Sequence, residues 1–485
     1  MAALLMALAL ATQPPPLPPT DPAGWRSLAA RDLDGMREAL RANSPIFAVD
    51  RDSAPLRRWA EIGYAEATHD LPLVHDAASA LALLARYAGG FRDGHIRLET
   101  VGNMPDRTIR WPGFTLRWAG SAYRVDVRRS AAGSPAPPPK GARLIGCDGH
   151  SAEQLARTRL DRVQGDLDRN GRLQSAPAFT LDLGNPYAGG DLRRCRFAIG
   201  AKTVAAQLTY RPIGVDEMFG LFKGRVRVRS PFGLTRVGDS WWIGLPDFGE
   251  HDWPGLLADI RRRLPELRAS KVVLDLRDNG GGNSAFADQL ARALYGDSLV
   301  SARAPHLGAI VYRASPANRA TYADFLAQLK AHNEGAGDIA EVAALVDKFD
   351  QAIAASQPTF RIASGSAPSA ARTTPAPANP FRHSVVLLTD GMCFSACLDA
   401  MDLFTALPGT VHAGTRTSAD TIFMDLSSAP LPSGLFAISY GHKAWIDRPR
   451  GSNVAFTPAA TWTYHGDIGD DAAWRRWLTA KLARR

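Results

Sequence analysis

The sequence predicts an α/β fold: an α/β core preceded by a small helical domain and a β-rich domain. Three near-continuous apolar runs, at 241–245, 272–276 and 384–389, are typical of central strands that are buried on both faces. Helical patterns follow the second and third of these runs, so strands and helices alternate along this part of the chain.

The two domains before the core differ from it in their sequence pattern. Residues 24–92 carry apolar side chains at helical spacing, and Gly89 and Gly90 mark the end of one such helix. Residues 112–213 consist of short alternating runs separated by turn residues, which is typical of a β-rich domain. A helical stretch and a Ser/Ala/Pro/Thr-rich segment, at about 300–380, interrupt the core, and such inserts often form lids or binding elements.

Four segments are therefore expected along the 485 residues. They are a signal peptide with a Pro-rich linker at 1–20, the helical domain at 21–110, the β-rich domain at 111–215, and the α/β core with its insert at 216–485.

The first residues predict export from the cytosol. Residues 2–10 are almost entirely Ala, Leu and Met, and Ala9-Leu10-Ala11 is a small-residue cleavage pattern. We expect cleavage after Ala11 and a periplasmic or secreted protein; the alternative is an apolar tail without a targeting role. The run is too short to span a bilayer, and no other stretch reaches about 18 apolar residues, so no stable membrane insertion is expected.

Charge and composition exclude one class of partner. The formal net charge of +9 is spread along the chain, whereas a dedicated nucleic-acid binder would show a clustered basic patch. Only eight of the basic residues are lysines, which restricts the candidates for a lysine base. The sequence leaves the oligomeric state open.

The four cysteines show no metal-binding pattern. None of the spacings among Cys147, Cys195, Cys393 and Cys397 matches a zinc site, so no metal is expected. A Cys147–Cys195 disulfide is compatible with export, but four cysteines allow three pairings and the sequence does not choose among them. We expect Cys393 and Cys397 to act as small buried hydrophobic residues.

One run in the β-rich domain resembles the core motif of PDZ-like domains. It reads Gly-Ala-Arg-Leu-Ile-Gly-Cys-Asp-Gly-His over 141–150, followed by a capped helix from Ser151. PDZ domains bind peptide C-termini by adding a strand at a sheet edge. The alternative is another small β-rich insert.

A strand that ends in three glycines is the first feature that could carry chemistry. The run 272–283 reads Val-Val-Leu-Asp-Leu-Arg-Asp-Asn-Gly-Gly-Gly-Asn, and a helical pattern follows it. Such glycines allow the backbone to approach a ligand closely and to direct its N–H groups at a negative centre. The run has no Walker lysine and no dinucleotide fingerprint, so nucleotide binding is the weaker interpretation.

A serine at a strand-to-helix junction is the second feature. The run 389–401 reads Thr-Asp-Gly-Met-Cys-Phe-Ser-Ala-Cys-Leu-Asp-Ala-Met, so that Ser395 falls at the first turn of a helix. There the following amide, of Ala396, and the helix N-terminus favour an oxyanion. The alternative is that Ser395 only caps the helix.

A histidine in a turn is the third feature. The run 91–97 reads Phe-Arg-Asp-Gly-His-Ile-Arg and connects the helical domain to the first strands. A single loop histidine such as His95 is most often structural or simply exposed.

Taken together, the three motifs resemble the tail-specific, or C-terminal-processing, serine peptidase family (S41-like). The glycine run and the serine run occur in the family's order, and the Asp-Gly-His turn resembles the motif of the branch that includes tricorn core protease and the chlamydial protease-like factor. The resemblance extends over nearly the whole chain after residue 20. It implies a ClpP/crotonase-like βαβ peptidase core, a PDZ-like domain and a peptide or protein substrate, with no cofactor.

The resemblance also implies the roles of individual residues. Ser395 would be the nucleophile and His95 the base that accepts its proton, while the amides of Gly281, Gly282 and Ala396 would form the oxyanion hole.

Two positions depart from the family patterns. The branch with a lysine base carries that lysine where this chain has Asp420, so the Ser–His interpretation gains support. The histidine branch orients its base with a glutamate, and the matching position here is Ser452. Ser452, Asp420 and Asp447 are therefore the candidates to orient the imidazole.

Two other functions stay open at this point. Because the glutamate is absent, the chain could be a catalytically weak or inactive peptide-binding scaffold on the same fold. A Ser–His esterase or acyl hydrolase would use the same oxyanion chemistry, although the G-x-S-x-G motif of α/β-hydrolases is absent.

Overall fold

The computed structural model describes residues 18–484, except for 106–107, 131–132, 134, 224–229, 306–307, 333–334 and 364–377. The whole predicted signal peptide and most of the Ser/Ala/Pro/Thr-rich segment lie outside the described residues. Within them, no helix is both long enough and apolar enough to cross a membrane.

Three helices form the N-terminal region, as the periodicity predicts. They are α1 (Pro22–Asn43), α2 (Ala54–Asp70) and α3 (Ala77–Gly89), and strand β1 (Arg97–Thr100) follows them. Helix α3 begins at a capping box, in which the side chains of Asp76 and Ser79 each bond the other's backbone, and it ends at the predicted glycine pair.

The β-rich region contains a sheet with strand order β3-β4-β5-β7-β8, a short β6 beside β5, and a separate β2–β9 pair. Its elements are β2 (Ile109–Trp111), β3 (Phe114–Trp118), β4 (Tyr123–Arg128), β5 (Arg143–Cys147), β6 (His150–Ser151), α4 (Ala152–Arg159), α5 (Gly171–Ser175), β7 (Arg194–Ile199), β8 (Lys202–Gln207), β9 (Arg211–Ile213) and α6 (Val215–Lys223). Its PDZ-like character stays a prediction.

The remaining elements build two further sheets. In chain order they are β10 (Gly233–Val237), β11 (Ser240–Gly244), α7 (Trp253–Arg262), α8 (Leu264–Ala269), β12 (Lys271–Asp275), α9 (Ala285–Tyr295), α10 (Asp297–Arg303), β13 (Ala309–Arg313), α11 (Pro316–Ala331), α12 (Ala336–Ala354), β14 (Thr359–Ala363), β15 (Val385–Thr389), α13 (Ala396–Thr405), β16 (Thr410–Gly414), β17 (Phe423–Pro430), β18 (Phe436–Ile446) and α14 (Asp471–Ala483). This mixture of helices and strands confirms the α/β class.

The first of these, the core sheet, has the order β10-β11-β12-β15-β16, and its last four strands are parallel. The predicted apolar runs form β11, β12 and β15, and they are buried on both faces. On one face Val272 and Leu274 pack against α7, α9 and α13; on the other, Val273 packs with Trp474 of α14. Burial on both faces explains why these strands are continuously apolar.

The second, the flanking sheet, has the order β1-β18-β13-β14, with β17 also paired to β18. The insert therefore contributes two strands to a sheet, besides the helical pair α11 and α12. Helices α1 to α3 share one hydrophobic core with β17 and β18, and buried Asp32 of α1 accepts hydrogen bonds from the backbone and hydroxyl of Ser433. The predicted domain limits stay predictions, and the one at residue 110 falls inside β2, which pairs with β9.

Candidate active site

Ser395 lies at the edge of the core sheet where β15 gives way to α13. Its backbone has φ 55° and ψ −124°, a conformation that non-glycine residues rarely adopt. The side chain makes no capping hydrogen bond to the helix that it precedes. Its hydroxyl is therefore not used as an ordinary helix cap, the alternative that the sequence left open.

A disulfide between Cys393 and Cys397 encloses Ser395. The expectation that these cysteines act only as small hydrophobic residues is wrong: both are fully buried, but their sulfurs are bonded to each other. Cys147 and Cys195 form the second disulfide, across β5 and β7, where the two residues lie directly opposite each other. All four cysteines of the chain are thus paired.

The run of three glycines forms a turn beside the serine. Strands β12 and β15 are parallel neighbours, so their carboxyl ends lie at the same edge of the sheet. In this glycine turn (279–283), a methyl group added at Gly281 would lie 2.9 Å from Ser395 Cβ and 3.0 Å from the nitrogen of Ala396. Gly281 has a φ of 105°, so both space and backbone conformation require glycine there.

Three amides were predicted for the oxyanion hole, and their surroundings differ. The N–H of Gly281 donates to Asn279 Oδ1 at 2.9 Å, so it is occupied. Gly282 lies opposite Phe248 in a parallel bridge, whose two hydrogen bonds join Phe248 to the Gly281 carbonyl and to the Asn283 N–H. The N–H of Gly282 itself therefore points away from Phe248. Ala396 is the first residue of α13, where a helix amide has no intrahelical partner.

His95 approaches Ser395 from the flanking sheet. It lies in the loop between α3 and β1, two residues before the start of β1, which pairs with β18. His95 Nε2 lies 3.4 Å from Ser395 Oγ, and the imidazole packs on the Phe394 ring with 4.8 Å between centroids. The residue is only 2% exposed, unlike a typical loop histidine.

Asp93 is the carboxylate that contacts the imidazole. Its Oδ1 lies 3.3 Å from His95 Nδ1, at an angle that falls short of a good hydrogen bond, and it accepts the His95 backbone N–H at 2.9 Å. Its Oδ2 accepts a hydrogen bond from the Thr421 hydroxyl, and the carboxylate is fully buried. Two residues from distant loops of the chain, His95 and Thr421, therefore hold this carboxylate in one position.

The charges around His95 change its pKa. Burial acts to lower the pKa of the imidazole, but the carboxylate of Asp93, with smaller contributions from Asp420 and Asp425, outweighs burial and raises the pKa above the usual value of 6.5. Burial conversely acts to raise the pKa of Asp93, but His95 and Thr421 outweigh it and lower that pKa. The pair therefore favours a charged imidazole beside a charged carboxylate.

The three candidates that the sequence offered for orienting the imidazole are engaged or placed elsewhere, unlike Asp93. Asp420 is fully buried in ion pairs with Arg448 and Arg450, so it acts on His95 only through its charge. Asp447 is half exposed and pairs with Arg51 at 2.5 Å. Ser452 lies in the same loop as Asp447. Among the residues that the structure describes, the hydrogen bonds of His95 involve none of these three.

Lys443, one of the two lysines that follow Ser395 in the sequence, is not available as a base. Lys443 Nζ lies 2.5 Å from Asp425 Oδ2. Burial acts to lower the pKa of Lys443, but Asp425 overrides it and raises that pKa, so the ammonium group stays charged. Across the described ranges, no group of three His, Cys, Asp or Glu side chains is arranged to hold a metal ion.

Asp93 is the residue that the sequence interpretation missed, although a signal was present. An aspartate readily bonds the backbone N–H two residues further on, and Asp93 precedes His95 by that spacing. The contact with Thr421 links positions distant in the sequence and left no local signal.

The fold is similar to solved structures, although no protein-family model and no curated protein sequence matches the chain. The structure of mature CPAF complexed with lactacystin has a TM-score of 0.58 at 13% identity, covering 95% of this chain and 97% of that one. A second structure of mature CPAF has a TM-score of 0.58 at 12% identity, covering 95% and 96%.

The photosystem II D1 C-terminal processing protease matches at 14% identity over 93% of this chain and 96% of that one, but its TM-score of 0.36 is too low to compare whole folds. The likeness to CPAF extends over nearly the full length of both chains, as the resemblance of the motifs led us to expect. The chain therefore has the fold of CPAF.

Proposed function

We propose that this chain is a serine peptidase of the tail-specific type, which hydrolyses peptide bonds in exported or unfolded polypeptides. The observation that carries the proposal is the 3.4 Å distance between His95 Nε2 and Ser395 Oγ, with Asp93 on the other side of the imidazole. A serine, a histidine and a carboxylate in this order form one of the catalytic arrangements that carry out acyl transfer. A distance of 3.4 Å is ordinary without substrate, because catalytic hydrogen bonds often shorten only in the complex.

The first half of the reaction forms an acyl-enzyme. Ser395 Oγ attacks the carbonyl carbon of the scissile bond while His95 Nε2 accepts the hydroxyl proton. The carbonyl oxygen becomes an oxyanion, which the amides of Ala396 and Gly282 would stabilise, since that of Gly281 is bonded to Asn279. His95 then donates its proton to the leaving amine, and the C–N bond breaks.

The second half releases the product. A water molecule gives a proton to His95 and attacks the ester carbonyl, and the Ser395 oxygen leaves and takes that proton back. In both halves the imidazole passes through its charged form. The Asp93 carboxylate stabilises that form and fixes the ring. It would therefore have the orienting role of the family's glutamate, whose position Ser452 occupies in this chain.

We also propose an oxidising compartment and a peptide-binding role for the β-rich domain. Two disulfides are typical of exported proteins and rare in the cytosol, which agrees with the predicted signal peptide. The motif at 141–150 forms β5, a turn and β6, and a capped helix follows, which supports a PDZ-like domain that binds peptide segments.

Turnover of two substrate types tests the proposal. The purified protein is incubated with unfolded polypeptides and, separately, with p-nitrophenyl esters, and Ser395→Ala serves as the blank. New peptide N-termini that depend on Ser395 would support the peptidase. Ester cleavage without peptide cleavage would favour an acyl hydrolase, and no turnover of either kind would favour a peptide-binding scaffold.

A further inference from the structure

The backbone of Ser395 has a strained conformation, which the local preference of a serine at a helix start does not explain. A serine at the start of a helix ordinarily adopts an extended backbone and uses its hydroxyl to cap the helix. In that arrangement Ser395 Oγ would bond an amide of the first turn, such as that of Leu398, and withdraw from His95. Its φ of 55° therefore needs support from the surrounding structure.

The Cys393–Cys397 disulfide is the covalent part of that support. It joins the residue two before Ser395 to the residue two after it, and both sulfurs lie in the core. Hydrogen bonds hold the flanks: Phe394 N–H donates to the Asn279 carbonyl at 3.2 Å, and Ser418 N–H donates to the Cys393 carbonyl at 3.1 Å. One further hydrogen bond, from the Cys397 N–H to the Phe394 carbonyl at 3.1 Å, also joins the two sides of Ser395, and the disulfide is the covalent link between them.

The two disulfides differ in what they can contribute. Cys147 and Cys195 are 48 residues apart, so their bond removes much conformational freedom from the unfolded chain. Cys393 and Cys397 are four apart, and closing so short a loop constrains the unfolded chain far less. The effect of the second bond therefore falls mainly on the local geometry of the native state, at Ser395.

We propose that the Cys393–Cys397 disulfide is a positioning element of the active site, which keeps Ser395 Oγ directed at His95; this inference rests on the proposed function. A dithiol reductant would supply two electrons and two protons, leaving two cysteine thiols and the oxidised cyclic disulfide of the reductant. Ser395 then relaxes to the helix-capping conformation, and the reactivity of its hydroxyl falls. Reoxidation restores it.

Two paired variants separate this role from general stability. The rate of labelling by a fluorophosphonate and the melting temperature are measured for Cys393→Ala/Cys397→Ala and for the matched control Cys147→Ala/Cys195→Ala. We expect the first variant to label roughly 10- to 100-fold more slowly with little change in melting temperature, because small misplacements of a reacting group are costly. The control should melt at a lower temperature while labelling at nearly the wild-type rate.

A reductant titration gives the same answer if the first variant fails to fold. In Cys147→Ala/Cys195→Ala the bond beside Ser395 is the sole remaining disulfide, so dithiothreitol acts on it alone. We expect labelling to fall as two thiols per chain appear and to recover on reoxidation. Labelling that is unchanged with both thiols free would overturn the inference and leave the proposed peptidase intact, whereas a wild-type protein that never labels would overturn both.

Discussion

At the scale of single residues, the Asp93–His95 pair determines how reactivity should depend on pH. Only the neutral imidazole can accept the proton of Ser395, and Asp93 raises the pKa of His95 by stabilising its charged form. Reactivity should therefore be low at acidic pH and should rise as pH increases through that pKa, with a midpoint above 6.5.

Replacing Asp93 by Asn tests this pair. Burial, which lowers the pKa of His95, is no longer opposed by Asp93, so the midpoint of the pH–rate curve should move to lower pH. The maximal rate should fall roughly 10²- to 10⁴-fold, because the amide does not stabilise the charged imidazole. The measurement is the fluorophosphonate labelling rate between pH 5 and 9, a range chosen around the usual histidine pKa of about 6.5.

Two variants serve as controls for Asp93→Asn. Asp447→Asn changes a half-exposed carboxylate that pairs with Arg51, and Ser452→Ala changes the residue at the glutamate position; neither should move the midpoint. Asp93→Glu, which keeps the charge, should keep more of the rate than Asn. A midpoint that stays in place in Asp93→Asn and moves in Ser452→Ala would assign the orienting role to Ser452.

At the scale of elements, the glycine turn fixes the space available to the serine. In Gly281→Ala, the added methyl group would lie 2.9 Å from both Ser395 Cβ and the Phe394 carbonyl oxygen, and the φ of 105° would be strained. We expect labelling to fall roughly 100-fold, because Ser395 has to move. The matched control is Gly280→Ala, where the methyl group meets no atom within 4 Å; equal rates in the two variants would contradict this account.

The elements of the core could be predicted from the sequence, because their signals are local. Apolar runs buried on both faces identified β11, β12 and β15, and the glycine and serine motifs followed two of them directly. The flanking sheet could not be predicted in this way, because β1 pairs with a strand more than 300 residues later, and sequence periodicity does not record pairing partners. The Cys393–Cys397 disulfide was missed because several pairings fitted the sequence.

At the scale of the whole molecule, the two halves of the site belong to different sheets. Ser395 follows a strand of the core sheet, whereas His95 is held by β1 of the flanking sheet and by the helices that pack on it. Met36 of α1 is fully buried in the core that these helices share with β17 and β18. The helical region should therefore support the site as well as the fold.

Met36→Ala tests that dependence. Loss of a fully buried side chain should cost about 2–5 kcal/mol of the free energy of unfolding, measured by denaturant titration. During thermal unfolding, labelling should disappear together with the helical signal, because His95 loses its support. The control Ile62→Ala, at a side chain that is 49% exposed, should change stability by less than about 0.5 kcal/mol. Labelling that outlasts the unfolding of the helices would show that the site does not need them.

The most direct test of the central claim is labelling of the purified protein with a fluorophosphonate, with the modified residue located by mass spectrometry. The Ser395–His95 assignment predicts one adduct per chain on Ser395, none in Ser395→Ala, and a strongly reduced rate in His95→Ala. An unlabelled but folded wild-type protein, or an adduct on another serine, would contradict it.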